Sequence, residues 1–343
     1  MKTYLITGGA GFIGSNFIHY LMGGKQRSRS SSSDSHEGET IRIINLDSLA
    51  YSGNRSSVSC YEEYDNYRFL HGDICDEELV STLFSEENID YVIHFAAQTH
   101  VDRSITSPME FARTNVLGTL NLLNAANAAW QEVERNTKRF LYVSTDEVYG
   151  DLPEEGYFTE ASPLRPRNPY AASKAGADMM VKAFYETHGL PILITRCSNN
   201  YGPLQYPEKF LPLCIECCLR GKEIPIYGDG SNVRDWLYVE DHCRAIDLVL
   251  QKGQIGEVYN VGGHNERSNL EFVSTLSNMM TKEFHQKASP VHFITDRKGH
   301  DRRYAIDSTK LQRDLGWQPA TDFTQGLRNT IRWYLEHKDF LQL

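Results

Sequence analysis

Lys2-Thr3-Tyr4-Leu5-Ile6-Thr7-Gly8-Gly9-Ala10-Gly11-Phe12-Ile13-Gly14 opens the chain, and the architecture is read from this stretch. Lys2–Thr7 is β-rich and ends at glycines 8, 11 and 14; residues 15–22 then carry apolar side chains at helical spacing. Strand, glycine turn and helix in that order form the context that a dinucleotide site requires. Without Cβ atoms the turn can approach a pyrophosphate, whose charge the helix N-terminus stabilises. A tight turn alone would also use glycine, but the flanking strand and helix favour cofactor binding.

Outward from that turn, Gly23–Thr40 is serine-rich and without apolar residues, which predicts a flexible insertion outside any core. Ile41–Leu46 reads as a second strand ending in Asp47. A carboxylate there accepts hydrogen bonds from ribose hydroxyls and repels a 2′-phosphate, so it selects NAD over NADP. The interval from the glycines exceeds the usual ~20 residues, and the insertion accounts for the excess. Tyr67–Leu70 is a third strand, after which Asp73 either caps the adenine or caps the helix beginning near Glu77. Ile89–Phe95 is a fourth, followed by Ala96-Ala97, small enough for a cofactor to lie against the backbone. His100 is read as a hydrogen-bonded loop histidine. Phe111–Ala129 has the periodicity of a long helix and leads to a fifth strand, Phe140–Val143. The alternation predicts an α/β fold, a Rossmann-like doubly wound parallel sheet. Pro191–Cys197 adds a strand, and Glu257–Gly262 is expected to return to the same sheet. The expected division is a cofactor-binding domain over 1–198 with 235–263, and a smaller discontinuous substrate domain over 199–234 and 264–343.

With 343 residues the chain exceeds the size of a single growing core. Hydrophobic and charged fractions of 40% and 23% are ordinary for a globular protein. A net charge of −10 argues against a nucleic-acid partner, while leaving room for a small anion held by local arginines. Seven cysteines and no secretory signal before the first strand imply reduced thiols and a cytoplasmic setting. Cys214, Cys217 and Cys218 fall in a helix-like apolar run with no second Cys/His pair, so no metal is expected. No apolar run reaches membrane-spanning length.

The chemistry concentrates after the fifth strand, in Ser144-Thr145-Asp146-Glu147. Side chains of adjacent residues diverge, so the chain must curl if both carboxylates serve one site. Solvated loop charges are the plain reading; an acid and a base working on neighbouring carbons is the sharper one. Downstream, Tyr170 and Lys174 stand four apart on a helical run and share a face. A phenol with a pKa near 10 is a poor base at neutral pH. A neighbouring ammonium and a positive nicotinamide ring are expected to favour its ionised form.

These motifs, with R-C-S-N-N-Y-G-P (196–203), Y-P-E-K-F-L-P (206–212), G-D-G-S-N-V-R-D-W-L-Y-V-E-D-H (228–242) and D-R-K-G-H-D-R-R-Y-A-I-D (296–307), carry a resemblance along nearly the whole chain. It resembles the extended short-chain dehydrogenase/reductases and, among them, the dTDP-glucose 4,6-dehydratase family. The resemblance implies tightly held NAD regenerated in each turnover, C4 oxidation of the sugar, water loss across C5 and C6, and hydride return to C6. It implies Thr145, Asp146, Glu147, Tyr170 and Lys174 as the catalytic set, with Glu147 the base at C5 and Asp146 the acid at C6. Gly8, Gly11, Phe12, Ile13, Gly14, Asp47, Asp73, Ile74, Ala96, Ala97, Thr99, Thr114, Tyr170 and Lys174 would hold NAD. Thr99, Thr145, Asn199, Lys209, Pro225, Tyr227, Arg234, Asn269, Arg297 and His300 would surround the nucleotide sugar. It also implies a homodimer through a four-helix bundle built from helices at 111–129 and 174–188.

Rival readings keep the scaffold. A UDP-glucose 4,6-dehydratase differs by one methyl on the base, about 1 kcal/mol of burial. A 4-epimerase or decarboxylase has no need for the Asp146-Glu147 pair. A non-catalytic NAD-binding regulator predicts loss of the catalytic set, which is intact.

Overall fold

The computed structural model describes residues 1–27, 41–131 and 134–341. In chain order the elements are β1 Lys2–Thr7, α1 Phe12–Arg27, β2 Ile41–Asp47, β3 Tyr67–His71, α2 Glu77–Glu86, β4 Tyr91–His94, α3 Val101–Thr106, α4 Pro108–Phe111, α5 Thr119–Ala129, β5 Arg139–Thr145 and α6 Pro169–His188. There follow β6 Ile192–Cys197, β7 Asn199–Tyr201, α7 Phe210–Arg220, β8 Ile224–Tyr227, β9 Val233–Tyr238, α8 Val239–Lys252 and β10 Val258–Val261. The chain closes with β11 Glu266–Ser268, α9 Asn269–Lys282, β12 Val291–Ile294, α10 Thr309–Leu315 and α11 Phe323–Glu336.

Seven strands form one parallel sheet in the order β10-β6-β5-β4-β1-β2-β3. The order reverses at β1, between β4 and β2, and ligands bind such sheets at the carboxyl edge beside the reversal. The glycine turn leaves β1 at that edge. Residues such as Leu141 and Leu193 face one core with α1 and α8, while Tyr142 and Ile194 face another with α2, α5 and α6. Strands covered on both faces read as near-continuous apolar runs, which is why they stood out in the sequence. A third core, around Trp236, Phe272, Phe323 and the three cysteines of α7, belongs to the smaller carboxy-terminal layer with sheets β11-β9-β7 and β12-β8.

Three expectations are adjusted. Helix α1 continues to Arg27, into the segment read as an insertion; residues 28–40 lie outside the described residues. The fourth strand is shorter than 89–95, although Asp90 and Phe95 still bond to β1 through Thr3 and Thr7 carbonyls. The helix read over 111–129 is not regular: α4 and α5 are joined by a π-helical stretch, Ala112–Gly118. Apolar spacing on both sides of a π stretch stays in phase enough to hide it, and such stretches collect at functional sites. Here it buries Asn115, whose amide oxygen accepts from Gln98 N (2.8 Å) and whose nitrogen donates to Ser173 Oγ (2.8 Å). The π stretch is thereby tied to α6.

Candidate active site

The curl that the two carboxylates require is present. Directly after β5, Asp146–Tyr149 forms a 3-10 turn capped by Thr145, whose hydroxyl accepts from Glu147 N at 3.3 Å. Gly150 ends it at φ +87°, where an added Cβ would lie 2.3 Å from the Arg165 carbonyl oxygen. Asp146 is buried and Glu147 partly so. Thr145 Oγ1 also donates to Asp146 Oδ1 (3.3 Å), whereas the buried Oδ2 of Asp146 has no hydrogen-bond partner among the described residues.

Electrostatics separate the pair. Desolvation first, then the charges of Glu147 and Asp235, push Asp146 well above the usual carboxylate range, against the opposing pull of Arg234. Glu147 is raised by burial and held back by Arg234 and by the Asn168 amide, which donates to Glu147 Oε2 at 3.4 Å. Asp146 is therefore the carboxyl that keeps its proton, and Glu147 the better candidate for a base.

Asn168 caps α6, accepting from Ala171 N (2.8 Å), and Pro169 occupies the first turn. One turn further, Tyr170 and Lys174 reach the same cavity as Asp146 and Glu147. The expected lowering of the phenol pKa by Lys174 is not what the geometry gives. Lys174 Nζ donates to the Val143 carbonyl (2.8 Å) and lies 4.3 Å from the Tyr142 ring centroid. Burial, then Glu147, Cys197 and Tyr142, hold Tyr170 well above its ordinary value, with the Thr145 hydroxyl opposing. Burial lowers Lys174 itself to about 8.

The cavity, about 470 Å³, runs from the glycine turn to the carboxylates. It is lined by Gly8, Gly11, Phe12, Ile13, Gly14, Asp47, Asp73, Ile74, Ala96, Ala97, Thr99 and Thr114, all of the residues assigned to the cofactor outside α6. The lining fits a dinucleotide. A Cβ on Gly8 would sit 2.6 Å from Ala96 N, and one on Gly14 2.3 Å from the Gly8 carbonyl, so the turn closes onto the helix only as glycine. Asp47 accepts from Ala10 N and Leu49 N, both at 2.8 Å, and a carboxylate so placed retains lone pairs for a diol. Asp73 is not the helix cap: Asp76 caps α2, and Asp73 Oδ1 accepts from Cys75 N (2.9 Å). His100 is the N-cap of α3.

The residues assigned to the substrate divide. Thr99, Thr145, Asn199 and Lys209 line the cavity, and Lys209 Nζ donates to the Thr99 carbonyl (3.3 Å). Pro225, Tyr227, Arg234, Asn269, Arg297 and His300 do not line it. Arg234 is buried, its guanidinium donating to the carbonyls of Val233, Asp301 and Arg302, 4.4 Å from the Tyr304 ring centroid. Arg297 forms a two-point ion pair with Asp102 (2.6 and 2.8 Å), and the Tyr227 hydroxyl donates to the same carboxylate (3.2 Å). His300 lies beside Tyr227, with ring centroids 6.1 Å apart, and pairs with Asp296. Pro225 is on the strand of Tyr227, and Asn269 opens α9 with its N–H on the Asn232 carbonyl.

Sequence reasoning passed over Asn168, Cys197 and Asp235. Asn168 carried a usable signal, an Asn-Pro pair opening a helix. Cys197 lines the cavity because β6 ends there, and Asp235 is brought near Asp146 only by the small sheet; neither has a local signature.

A parallel sheet with a glycine turn at its reversal and Tyr170/Lys174 at its carboxyl edge defines a member of the extended short-chain dehydrogenase/reductases. A family model described as GDP-mannose 4,6 dehydratase matches residues 5–330. A dTDP-glucose 4,6-dehydratase of Xanthomonas campestris pv. campestris (strain B100) is 48% identical over 100% of this chain and 95% of its own length. One from Neisseria gonorrhoeae is 46% identical over 98% and 96%. Among solved structures, the dTDP-glucose 4,6-dehydratase DesIV of Streptomyces venezuelae, with NAD and dTDP bound, superposes with a TM-score of 0.88 at 43% identity over 98% of both chains. A UDP-glucose 4-epimerase of Thermotoga maritima reaches a TM-score of 0.84 at 30% identity, covering 98% of this chain and 99% of its own. The chain belongs to the dTDP-glucose 4,6-dehydratase family.

Proposed function

We propose that this chain converts dTDP-glucose to dTDP-4-keto-6-deoxyglucose and water, as an NAD-dependent lyase. The observation that carries the reading is the capped turn that brings Asp146 and Glu147 into one cavity with Tyr170. When bound against Gly8–Gly14 and Asp47, NAD supplies the hydride acceptor for C4, the donor for C6, and a positive ring that favours ionised Tyr170.

Tyr170 takes the proton of the sugar 4-hydroxyl, with Thr145 bonded to the same oxygen. The 4-ketone that results acidifies the C5 hydrogen, which Glu147 removes. Asp146, holding its proton through burial, passes it to the departing C6 hydroxyl so that water leaves. Glu147, partly exposed in the cavity so that its proton exchanges with solvent, then protonates C5 as C6 is reduced. Lys174 orders the floor of the site through Val143. An epimerase needs only the first of these steps, so the carboxylate pair rather than the fold favours the dehydratase.

Thr99, Asn199 and Lys209 would meet the substrate from the cavity wall, with Arg297, Tyr227 and His300 recruited as the nucleotide enters, and Pro225, Arg234 and Asn269 behind them. We assign residues 1–198 with 239–263 to the NAD-binding domain and the remainder of the carboxy-terminal part to the nucleotide-sugar domain, the boundary expected at 235 moving to 239 because β9 pairs within the small sheet. Exposed apolar side chains at Met109, Leu117, Met179 and Met180 support a homodimer that pairs α4–α5 and α6 across a four-helix bundle. Free thiols, and no helix among the described residues long and apolar enough to cross a membrane, support a cytoplasmic assignment.

Incubation with dTDP-glucose or UDP-glucose, without added NAD, tests the function. The 4-keto-6-deoxy product, followed by its absorbance in alkali, is expected from dTDP-glucose at the higher rate. No product from either sugar would overturn the reading.

A further inference from the structure

The loop after β2 stays on the cofactor cavity. Its base is fixed to the glycine turn at Ala10, whose N–H donates to Asp47 Oδ2 (2.8 Å) and whose carbonyl accepts from Asn54 N (2.9 Å). Between these anchors Ser48, Ala50, Ser52 and Gly53 line the cavity, and Gly53 N donates to the Ala50 carbonyl (2.7 Å), a tight turn with Tyr51 at its tip. Tyr51 does not line that cavity. It lines a second hollow beside it, with Arg103, Thr106 and Glu110 at the protein surface, and Gln98 lines both. Tyr51 and Gln98 thus stand between the cofactor cavity and the exterior.

We propose that Tyr51 retains NAD: its side chain closes the cavity from the β2 side onto the β4 side, and the cofactor leaves only when that contact opens. The inference rests on the NAD-dependent reading and adds to it the means of keeping the cofactor. Strands β2 and β4 flank β1 on opposite sides, so a contact between the segments that follow them spans the reversal where a dinucleotide binds. Tyr51 makes that contact twice. Its hydroxyl shares a hydrogen bond with Thr99 Oγ1 (3.3 Å), and the Arg103 guanidinium stands 4.2 Å from its ring centroid. A third contact comes from the carboxy-terminal layer, where Tyr206 meets the ring edge-on with centroids 5.8 Å apart.

The reaction needs such a closure. The hydride taken from C4 has to remain until C6 is reduced, and a cofactor lost between the two steps leaves the sugar stranded as its ketone. The contacts of Tyr51 are made within the protein and have to break for NAD to leave, so they slow release without entering either hydride step. Tyr51 is half-buried and Arg103 exposed, so neither side chain belongs to the core that holds the fold.

The rate at which radiolabelled NAD leaves the loaded enzyme, chased with unlabelled NAD in the absence of sugar, tests this on wild type, Tyr51→Ala, Tyr51→Phe and Arg103→Gln. Tyr51→Ala is expected to release the label about thirtyfold faster than wild type. Tyr51→Phe keeps the ring contacts without the hydroxyl, and Arg103→Gln removes the cation from the ring face; each should release it several-fold faster. Turnover of Tyr51→Ala should fall on dilution and return when NAD is added. Release from Tyr51→Ala at the wild-type rate would overturn the proposal, whether or not KM for dTDP-glucose rises, and so would a loss of turnover that added NAD does not restore. The release measurement needs no sugar, so absence of product from the wild type would remove the dehydratase reading and leave the retention result standing.

Discussion

Asp146 and Glu147 are adjacent in sequence but unequal in setting, and that inequality assigns their work. Both are raised by burial, Asp146 further because Glu147 and Asp235 add like charge. Activity should follow a bell-shaped pH profile, with the acid limb set by protonation of Glu147 and the alkaline limb by ionisation of Asp146. As a coupled pair they would titrate with shared apparent values. Asp146→Asn and Glu147→Gln should each lower kcat about 10²–10⁴-fold while NAD stays bound, checked by turnover and by the cofactor's absorbance after gel filtration. Full turnover in both variants would remove their roles.

The same burial has a consequence for stability. The folded chain keeps a proton on Asp146 that the unfolded chain releases above about pH 4. Stability is therefore lost as pH rises from there through the folded-state pKa. Replacing Asp146 by Asn removes that dependence, so the variant should melt higher than wild type at pH 8, by about 2 °C or more, and differ little at pH 4. A melting temperature at pH 8 equal to or below that of wild type would count against a protonated, desolvated Asp146.

At the scale of elements, β6 and α6 are locked by Arg196 and Asp178, paired at 2.8 and 2.9 Å, with Arg196 Nη1 also donating to the Tyr149 hydroxyl (2.9 Å). This buried set joins the helix of Lys174 to the turn of Glu147. Removing one partner leaves an uncompensated charge, so Asp178→Asn should cost about 3–5 kcal/mol in denaturant unfolding. A loss below about 1 kcal/mol would mean the pair is not buried as described. The cap of α6 is a smaller case: Asn168→Ala should cost about 1 kcal/mol and also release Glu147 Oε2. These elements were legible unequally. The strand–glycine–helix opening and Tyr170/Lys174 were plain because a local spacing encodes them. The π stretch, the anchoring of Lys174 on Val143 and the nearness of Asp235 depend on packing between distant segments, which no local pattern records.

At the scale of the molecule, the doubly wound parallel sheet was inferable because buried parallel strands read as apolar runs between helices, while the order β10-β6-β5-β4-β1-β2-β3 came from the structure. Where the nucleotide half of the substrate lies was far less so. Arg234 and Arg297 were read from motif resemblance, yet the structure has Arg234 on backbone carbonyls and Arg297 on Asp102. If Asp102 competes with the substrate for Arg297, Asp102→Asn should lower KM for dTDP-glucose several-fold with kcat little changed; a raised KM would make Asp102 a supporting residue instead. The proposed dimer belongs to this scale too. Met109→Asp with Met179→Asp, both at exposed positions, should yield monomers in sedimentation without unfolding; an unchanged sedimentation coefficient would move the interface elsewhere.

The central claim is oxidation at C4 and reduction at C6 within one active-site visit, with Glu147 handling the C5 proton. Mass spectrometry and NMR of the product from dTDP-glucose deuterated at C4, formed in H2O, test it most directly. Deuterium is expected at C6 with hydrogen at C5, and unlabelled substrate in D2O should acquire deuterium at C5. A 4-keto-6-deoxy product with no deuterium at C6, or with deuterium at C5 when formed in H2O, would contradict the account.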